Sequence, residues 1–227
     1  MSNYIIIKDQ ELFADFVEFL PILKPGECYY VSLFARKKYH PSAHNDKSQC
    51  KRFTATSKTW LVRKIKQLEL ADNAYTNKDG SPVHGDSLAL YISINPRSFA
   101  AAQRHLLKKL ADTVAGNLFE MNPSSLALSA IQKSKSRTVF VDFDFDGVEF
   151  SEEMFEGRIN RKAYRVLVTR GGFHLLVQPS LISYQHTKTW YQALSNFQEC
   201  DVTGDNLIPV AGCTQGNFVP FLLEKSQ

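Results

Sequence analysis

Residues 137–147, Arg-Thr-Val-Phe-Val-Asp-Phe-Asp-Phe-Asp-Gly, confine the fold more than any other stretch of the chain. Val139, Phe140 and Val141 form an apolar run of β-formers, and the acid–aromatic alternation that follows has the two-residue period of a strand. On a strand, Asp142, Asp144 and Asp146 share one face while Phe143 and Phe145 occupy the other. The phenylalanines call for a core. The carboxylates repel one another, and burying them without a counter-charge is costly. A divalent cation relieves that repulsion, and hard oxygen ligands favour Mg²⁺, Mn²⁺ or Ca²⁺. An acidic strand end running into a turn at Gly147 is the competing explanation that this strand alone leaves open.

A second stretch narrows the choice. Leu167-Val-Thr-Arg-Gly-Gly-Phe-His-Leu-Leu-Val177 has the pattern of a strand, a tight turn at Gly171-Gly172, and a returning strand that carries His174. Two glycines admit positive φ and let a phosphate approach the backbone. Alternation can set His174 on the acidic strand's face, although a lone histidine among apolar residues is more often a satisfied core group.

Around these stretches the chain divides into two expected lobes, 1–132 and 133–227, joined at the polar segment Lys133-Ser-Lys-Ser-Arg137. With 227 residues, 44% of them hydrophobic, the chain is long enough for a proper core. It contains no apolar run near 18 residues, and its N-terminus lacks a basic region ahead of a long apolar one. The sequence therefore predicts neither a membrane span nor a secretory signal. Four scattered cysteines fit reduced thiols in a cytoplasmic protein. Net charge is only +4, but between Arg36 and Lys66 ten basic residues face a single acid, Asp46. Interleaved with Tyr39, Phe53 and Trp60, that excess suits a polyanion; a solvated loop and helix face is the plainer account. Cys28, His40, His44 and Cys50 lie in the same region, but Pro41 disfavours a regular helix and there is no C-x-x-C, so structural zinc is not expected.

In the first lobe, Asp9 can cap a helix ending near Pro21, Cys28 to Ala35 forms a strand, and Ser57 to Asp72 forms a helix with Trp60, Leu61, Ile65 and Leu68 inward. A strand from Ser87 to Ile94, a helix from Arg97 to Val114 with Leu106, Leu107 and Leu110 on its apolar side, and a shorter helix from Asn122 to Ile131 complete it. In the second lobe the acidic strand leads to a helix from Ser151 and a strand at Ala163 to Thr169. The strand at Phe173 to Gln178, a helix at Tyr184 to Phe197, and strands at Leu207 to Val210 and Phe218 to Leu223 follow. That β-α-β-β-α-β order predicts an α/β (α+β) protein whose second lobe is an RRM-like split βαβ sheet. Carboxylates on its central strand argue against RNA stacking of the RRM kind.

The pair VDFDFD and TRGGFHLLV resembles the archaeo-eukaryotic primase superfamily, whose members carry a D-x-D strand, a G-x-H hairpin and a later hydrophobic-Asp motif. Cys200-Asp-Val-Thr-Gly-Asp205 through Gly216 is similar to the third element, and Tyr91 to Arg97 (YISINPR) is similar to the strand-then-NP of several primase-polymerases. The resemblance spans about Ser87 to Leu223 and rests on the order of the motifs.

It implies a DNA primase or primase-polymerase core, a nucleotidyltransferase extending a 3′-hydroxyl with NTP or dNTP by a two-metal mechanism using Mg²⁺ or Mn²⁺. Asp142 and Asp144 would bridge the metals and Asp201 would complete the set, with Asp205 and Asp146 as alternates. His174 would contact the nucleotide phosphates, near Arg170, Gly171, Gly172 and Thr169. Implied partners are a single-stranded DNA template, a primer and a helicase or helical priming domain. The implied setting is cytoplasmic, with nucleoid, plasmid or phage replication.

The chain departs from that pattern between Leu207 and Gly216, where relatives place Arg or Lys for the triphosphate and this sequence has neither. The charge is expected from Arg170, Arg97 or the basic block at Arg36, Lys37, Lys38, Lys51 and Arg52. Two rivals are a nucleic-acid-binding module of this fold without chemistry, and a metal-dependent phosphodiesterase, since clustered Asp plus one His also serves hydrolysis.

Overall fold

The computed structural model describes residues 3–116 and 122–224. Its elements in chain order are α1 (Gln10–Phe19), β1 (Glu27–Ala35), β2 (Ser48–Ala55), α2 (Lys58–Lys66), β3 (Leu88–Ser93), β4 (Arg97–Ser98), α3 (Phe99–Ala115) and α4 (Pro123–Gln132). After these come β5 (Val141–Asp146), β6 (Tyr164–Thr169), β7 (Gly172–Val177), α5 (Trp190–Ser195), β8 (Cys200–Gly204), β9 (Leu207–Pro209) and β10 (Phe221–Leu222). The strands make two antiparallel sheets in a mixed α+β fold. One runs β2-β1-β3-β9, with β4 paired to β1, and the other runs β10-β6-β7-β5-β8. Among the described residues no helix is long and apolar enough to cross a membrane.

Local chemistry sets the helix starts. The Asp9 carboxylate accepts from the Glu11 and Leu12 amides at 3.0 Å, Ser57 caps α2, and Asn122 with Pro123 opens α4. Apolar burial decides the layers. Phe143, Phe145, Phe173 and Leu175 face a core closed by α5 and the segment around Phe155, with the Phe145 and Phe173 rings stacked at 4.6 Å. The opposite face of that sheet is mixed. Leu167 and Leu176 pack into the other core, with α1, α2 and the first sheet, whereas Asp142 and His174 lie on the same side. One face thus changes from apolar to charged along the strands.

Several expectations need correction. The segment after the acidic strand forms short three-ten turns (Glu152–Phe155, Arg161–Ala163) instead of an α-helix, and the later helix shrinks to six residues at α5. The fourth strand of the second sheet is Cys200–Gly204, where Asp201 and Gly204 interrupt the β-formers Val202 and Thr203. Leu207–Pro209, the expected fourth strand, crosses to pair with β3 of the first sheet. The final strand pairs with β6, and Gln215 and Phe218 exchange backbone hydrogen bonds about Gly216. The basic block contains strand β2, paired along β1. Trp60 points outward, 39% exposed, with Arg63 and Lys64 over its ring, and Leu107 is also exposed. In both helices the apolar count exceeded what one buried stripe accepts.

Candidate active site

Strand β5 runs between β7 and β8, so each of its residues has a neighbour on both sides. Asp144 pairs across with His174 on β7 and with Asp201 on β8, and directly opposed residues share a face. Alternation therefore brings Asp142, Asp144, Asp201 and His174 to one side of the sheet, Asp142 fully buried and Asp201 exposed on the edge strand. The β5–β8 register slips between Asp142 and Asp144, which is why Gly204, three residues after Asp201, faces Asp142.

His174 sits between the two β5 carboxylates. Its Nδ1–H donates to Asp142 Oδ1 at 2.9 Å, and Nε2 lies 3.6 Å from Asp144 Oδ1. Burial opposes the charged imidazole, but Asp142, by charge and hydrogen bond, and Asp144 outweigh it, so the His174 pKa lies above its ordinary value. Asp144 is pushed up by burial first. The His174 charge works against that rise, whereas Asp142, Asp146 and Asp201 add to it. Crowded carboxylates on one face are the donor set of an oxygen-rich cation site. Among the described residues, however, no three His, Cys, Asp or Glu side chains stand as a ready-made cage.

The face opens into a cleft of about 350 Å³ between the sheets. Asp142, Asp144, Asp146, His174, Thr169 and Gly171 line it from the second sheet and its β6–β7 hairpin; Arg36, Lys38 and Lys47 line it from the first. Asp201, although opposite Asp144, is not among the lining residues. The basic wall is the end of β1 and the loop before β2. This answers where positive charge comes from in a chain whose 207–216 segment has none.

The glycine turn has a nearer reason than phosphate. Gly172 has φ +153°, and a side chain there would strike the Phe145 carbonyl at 2.0 Å. A Cβ on Gly171 would meet Asp146 Oδ1 at 2.8 Å. The hairpin needs Gly172 to lie against the β5 backbone, whereas at Gly171 the neighbour is a side-chain oxygen that can turn aside. Arg170 donates its backbone N–H to Gln215, and its guanidinium lies over the Tyr39 ring at 4.8 Å; the side chain does not line the cleft. Thr169 donates to the Gly172 carbonyl at 3.3 Å, closing the turn.

Arg97 and Asp205 are bound to each other. Arg97, 2% exposed, pairs with the Asp205 carboxylate at 2.5 Å, and Asn95 donates to the same carboxylate at 3.0 Å. Asn95 also accepts from the Val139 and Phe140 amides, fastening the start of the acidic strand. The NPR segment is a structural clamp: Arg97, expected as a source of triphosphate charge, is paired with the Asp205 carboxylate and is not among the residues that line the cleft. Arg52 is likewise engaged, donating to Ser125 and Ser129 on α4, whereas Lys37 and Lys51 are exposed. Of the other singled-out side chains, His40 stacks on His84 at 4.4 Å, while Cys28 and Cys50 are free thiols on β1 and β2.

Sequence reasoning missed Lys47, Tyr91 and Gln215 as cleft residues. Lys47 carried a signal in the basic block, and Tyr91 and Gln215 lay inside quoted motifs, but nothing in their types marked them. No protein-family model matches the chain, and comparison with curated proteins and with solved structures finds no match either.

Proposed function

We propose that this chain is a template-dependent nucleotidyltransferase, a primase or primase-polymerase core. The observation that carries the reading is one cleft with two oppositely charged walls. Asp142, Asp144 and His174 line a cleft, with Asp201 opposite Asp144, and Arg36, Lys38 and Lys47 stand on the other wall. The order β6-β7-β5-β8, antiparallel throughout, supports an RRM-like split βαβ sheet, since β5 and β6 run parallel with β7 between them.

Asp142, Asp144 and Asp201 are the residues that would hold Mg²⁺ or Mn²⁺. When bound, such ions polarise an attacking 3′-hydroxyl and neutralise a triphosphate. The chain's own residues prepare that site. His174 fixes the Asp142 carboxylate by hydrogen bond and offers Nε2 toward Asp144. Asn95 fastens the entry to β5 by accepting from the Val139 and Phe140 amides. Exposed Lys37, between Arg36 and Lys38 of the cleft's basic wall, suits the phosphates of a template and primer, whereas Lys51 lies on a separate surface with Arg52 and Lys64.

The test is extension of a primed single-stranded template with radiolabelled NTP or dNTP in Mg²⁺ or Mn²⁺. Wild type should extend, whereas Asp142→Asn and Asp144→Asn should not, with template binding kept in both. Full activity in both variants would defeat the reading. Strand cleavage without added nucleotide would replace it with hydrolysis, and metal-insensitive binding with no incorporation would leave only a binding module.

A further inference from the structure

Arg36 is a charge without an evident reason to be where it is. It is the residue just past the end of β1, 9% exposed, and it lines the cleft. Its Nη1 donates to the Tyr91 hydroxyl at 2.8 Å, and its Nε is buried with no partner. Among the described residues it makes no ion pair, in contrast to Arg97, Arg137 and Arg161, each of which has a carboxylate. A guanidinium taken out of water without an anion is costly, so a chain that keeps one there holds it for an anion that arrives later.

The surroundings hold that side chain still. Its guanidinium carbon lies 5.6 Å from the Tyr39 ring centre and 5.9 Å from that of Tyr91. The two tyrosine hydroxyls meet at 3.3 Å, and Gln215 donates to Tyr39 at 3.2 Å while its own carbonyl accepts from the Arg170 amide. This chain of hydrogen bonds runs from the β6–β7 hairpin to Arg36. It gives a planar, multi-donor group a fixed orientation, which suits bidentate recognition of phosphate oxygens.

The opposite wall limits which anion fits. Asp142, Asp144 and Asp146 repel any anion that approaches them bare. A ligand that fills this cleft must therefore be anionic toward Arg36, Lys38 and Lys47 and cation-bearing toward the acids. A polyphosphate chain carrying a divalent cation meets both demands.

We infer that Arg36, with Lys38 and Lys47 beside it, is the polyphosphate-binding site of this protein, and that Tyr91 is the residue that positions Arg36. The inference rests on the nucleotidyltransferase reading for the identity of the ligand as a nucleoside triphosphate, and on the cleft alone for the polyphosphate. It places the triphosphate clamp on the first sheet, in place of the missing basic residues between Leu207 and Gly216.

The experiment is calorimetric titration of inorganic triphosphate, with Mg²⁺, into wild type, Arg36→Gln, Arg36→Lys, Tyr91→Phe and Lys38→Gln, alongside melting curves and the extension assay. Arg36→Gln should weaken triphosphate binding about 30-fold or more, as truncation of one partner of a buried charge pair does. Arg36→Lys should recover part of that loss, and Tyr91→Phe and Lys38→Gln should each weaken binding about 3- to 10-fold. Ligand-free Arg36→Gln should melt higher than wild type and lose the upward shift that triphosphate causes. A purely structural Arg36 would instead melt lower when replaced and leave the affinity of the folded fraction unchanged, which overturns the proposal. Failure of wild type to bind triphosphate overturns it too. Should Arg36→Gln not fold, unchanged affinity in both Tyr91→Phe and Lys38→Gln would overturn it. Arg36-dependent triphosphate binding without nucleotide incorporation would sink the enzyme reading and leave this inference standing. Incorporation by wild type, with Arg36→Gln binding triphosphate equally well, would do the reverse.

Discussion

Two charged clusters lie between the same pair of sheets and differ in how completely they are satisfied. At one, Arg97 and Asp205 neutralise each other, and Asn95 ties the pair to the backbone of the acidic strand. At the other, Arg36 makes no ion pair among the described residues, while Asp144 is crowded by Asp142, Asp146 and Asp201 and held above its usual pKa by burial and by their charge. The first cluster is complete in the folded chain. The second keeps its opposite charges on separate walls of the cleft. Both contain aspartates from the same C-terminal motif, so residue type does not separate them; the partner does.

The comparison can be broken most decisively at Asp144. Asp144→Asn should cut nucleotide incorporation by about 10²–10³-fold or more, the scale of losing one electrostatic group at a reacting centre. The same substitution should raise the melting temperature of the metal-free protein at neutral pH. A carboxyl whose folded pKa is raised favours the fold at low pH and loses that advantage as pH rises through it, so removing its charge helps above that range. A lower melting temperature together with retained incorporation would erase the distinction between the clusters.

Asp205→Asn should do the opposite. It strips the counter-charge from a 2% exposed Arg97 and should cost about 3 kcal/mol of stability by denaturant titration, at the lower end for breaking a buried pair. Incorporation per folded molecule should hold. Asp201→Asn sharpens the contrast: being exposed, it should leave stability within about 0.5 kcal/mol while lowering incorporation.

A second ion pair, Arg137 with Glu27, extends the satisfied class away from the cleft. Burial raises the pKa of Glu27, but its hydrogen bonds from Arg137, the Lys24 amide and Ser136 outweigh that, and the carboxyl sits below its ordinary value. Its contribution is therefore present above the unfolded carboxylate pKa and lost as pH falls through the depressed folded one. Glu27→Gln should destabilise by about 1–3 kcal/mol at pH 7, with the two unfolding curves converging in acid and incorporation unchanged. The smallest effect belongs to Trp60→Ala, which should change stability by less than about 1 kcal/mol because the ring is turned outward against Arg63 and Lys64.

Legibility followed the range of the forces. Strand β5, the β6–β7 hairpin and the Asp9 cap were readable, because a two-residue period and a capping hydrogen bond are settled within a few residues. The basic block was legible as charge but not as strand β2, since Lys51 and Arg52 conceal a β-period that only pairing with β1 stabilises. Leu207–Pro209 was legible as a strand but was assigned to the wrong sheet: a three-residue segment says nothing about its partner, and the open edge of β3 took it. Asp201 and Asp205 were indistinguishable until Arg97, over a hundred residues earlier, claimed one of them.

By itself, then, the order of residues determined that an acidic strand and a histidine hairpin exist, that each has an apolar face, and that cations gather in the first half of the chain. These follow from period and composition, which are local. Only the tertiary structure decided that the cations of Arg36, Lys38 and Lys47 face the acids across one cleft, and that Arg97 does not join them. Electrostatic partnership depends on distance in space, and distance in space is set by how the two sheets pack.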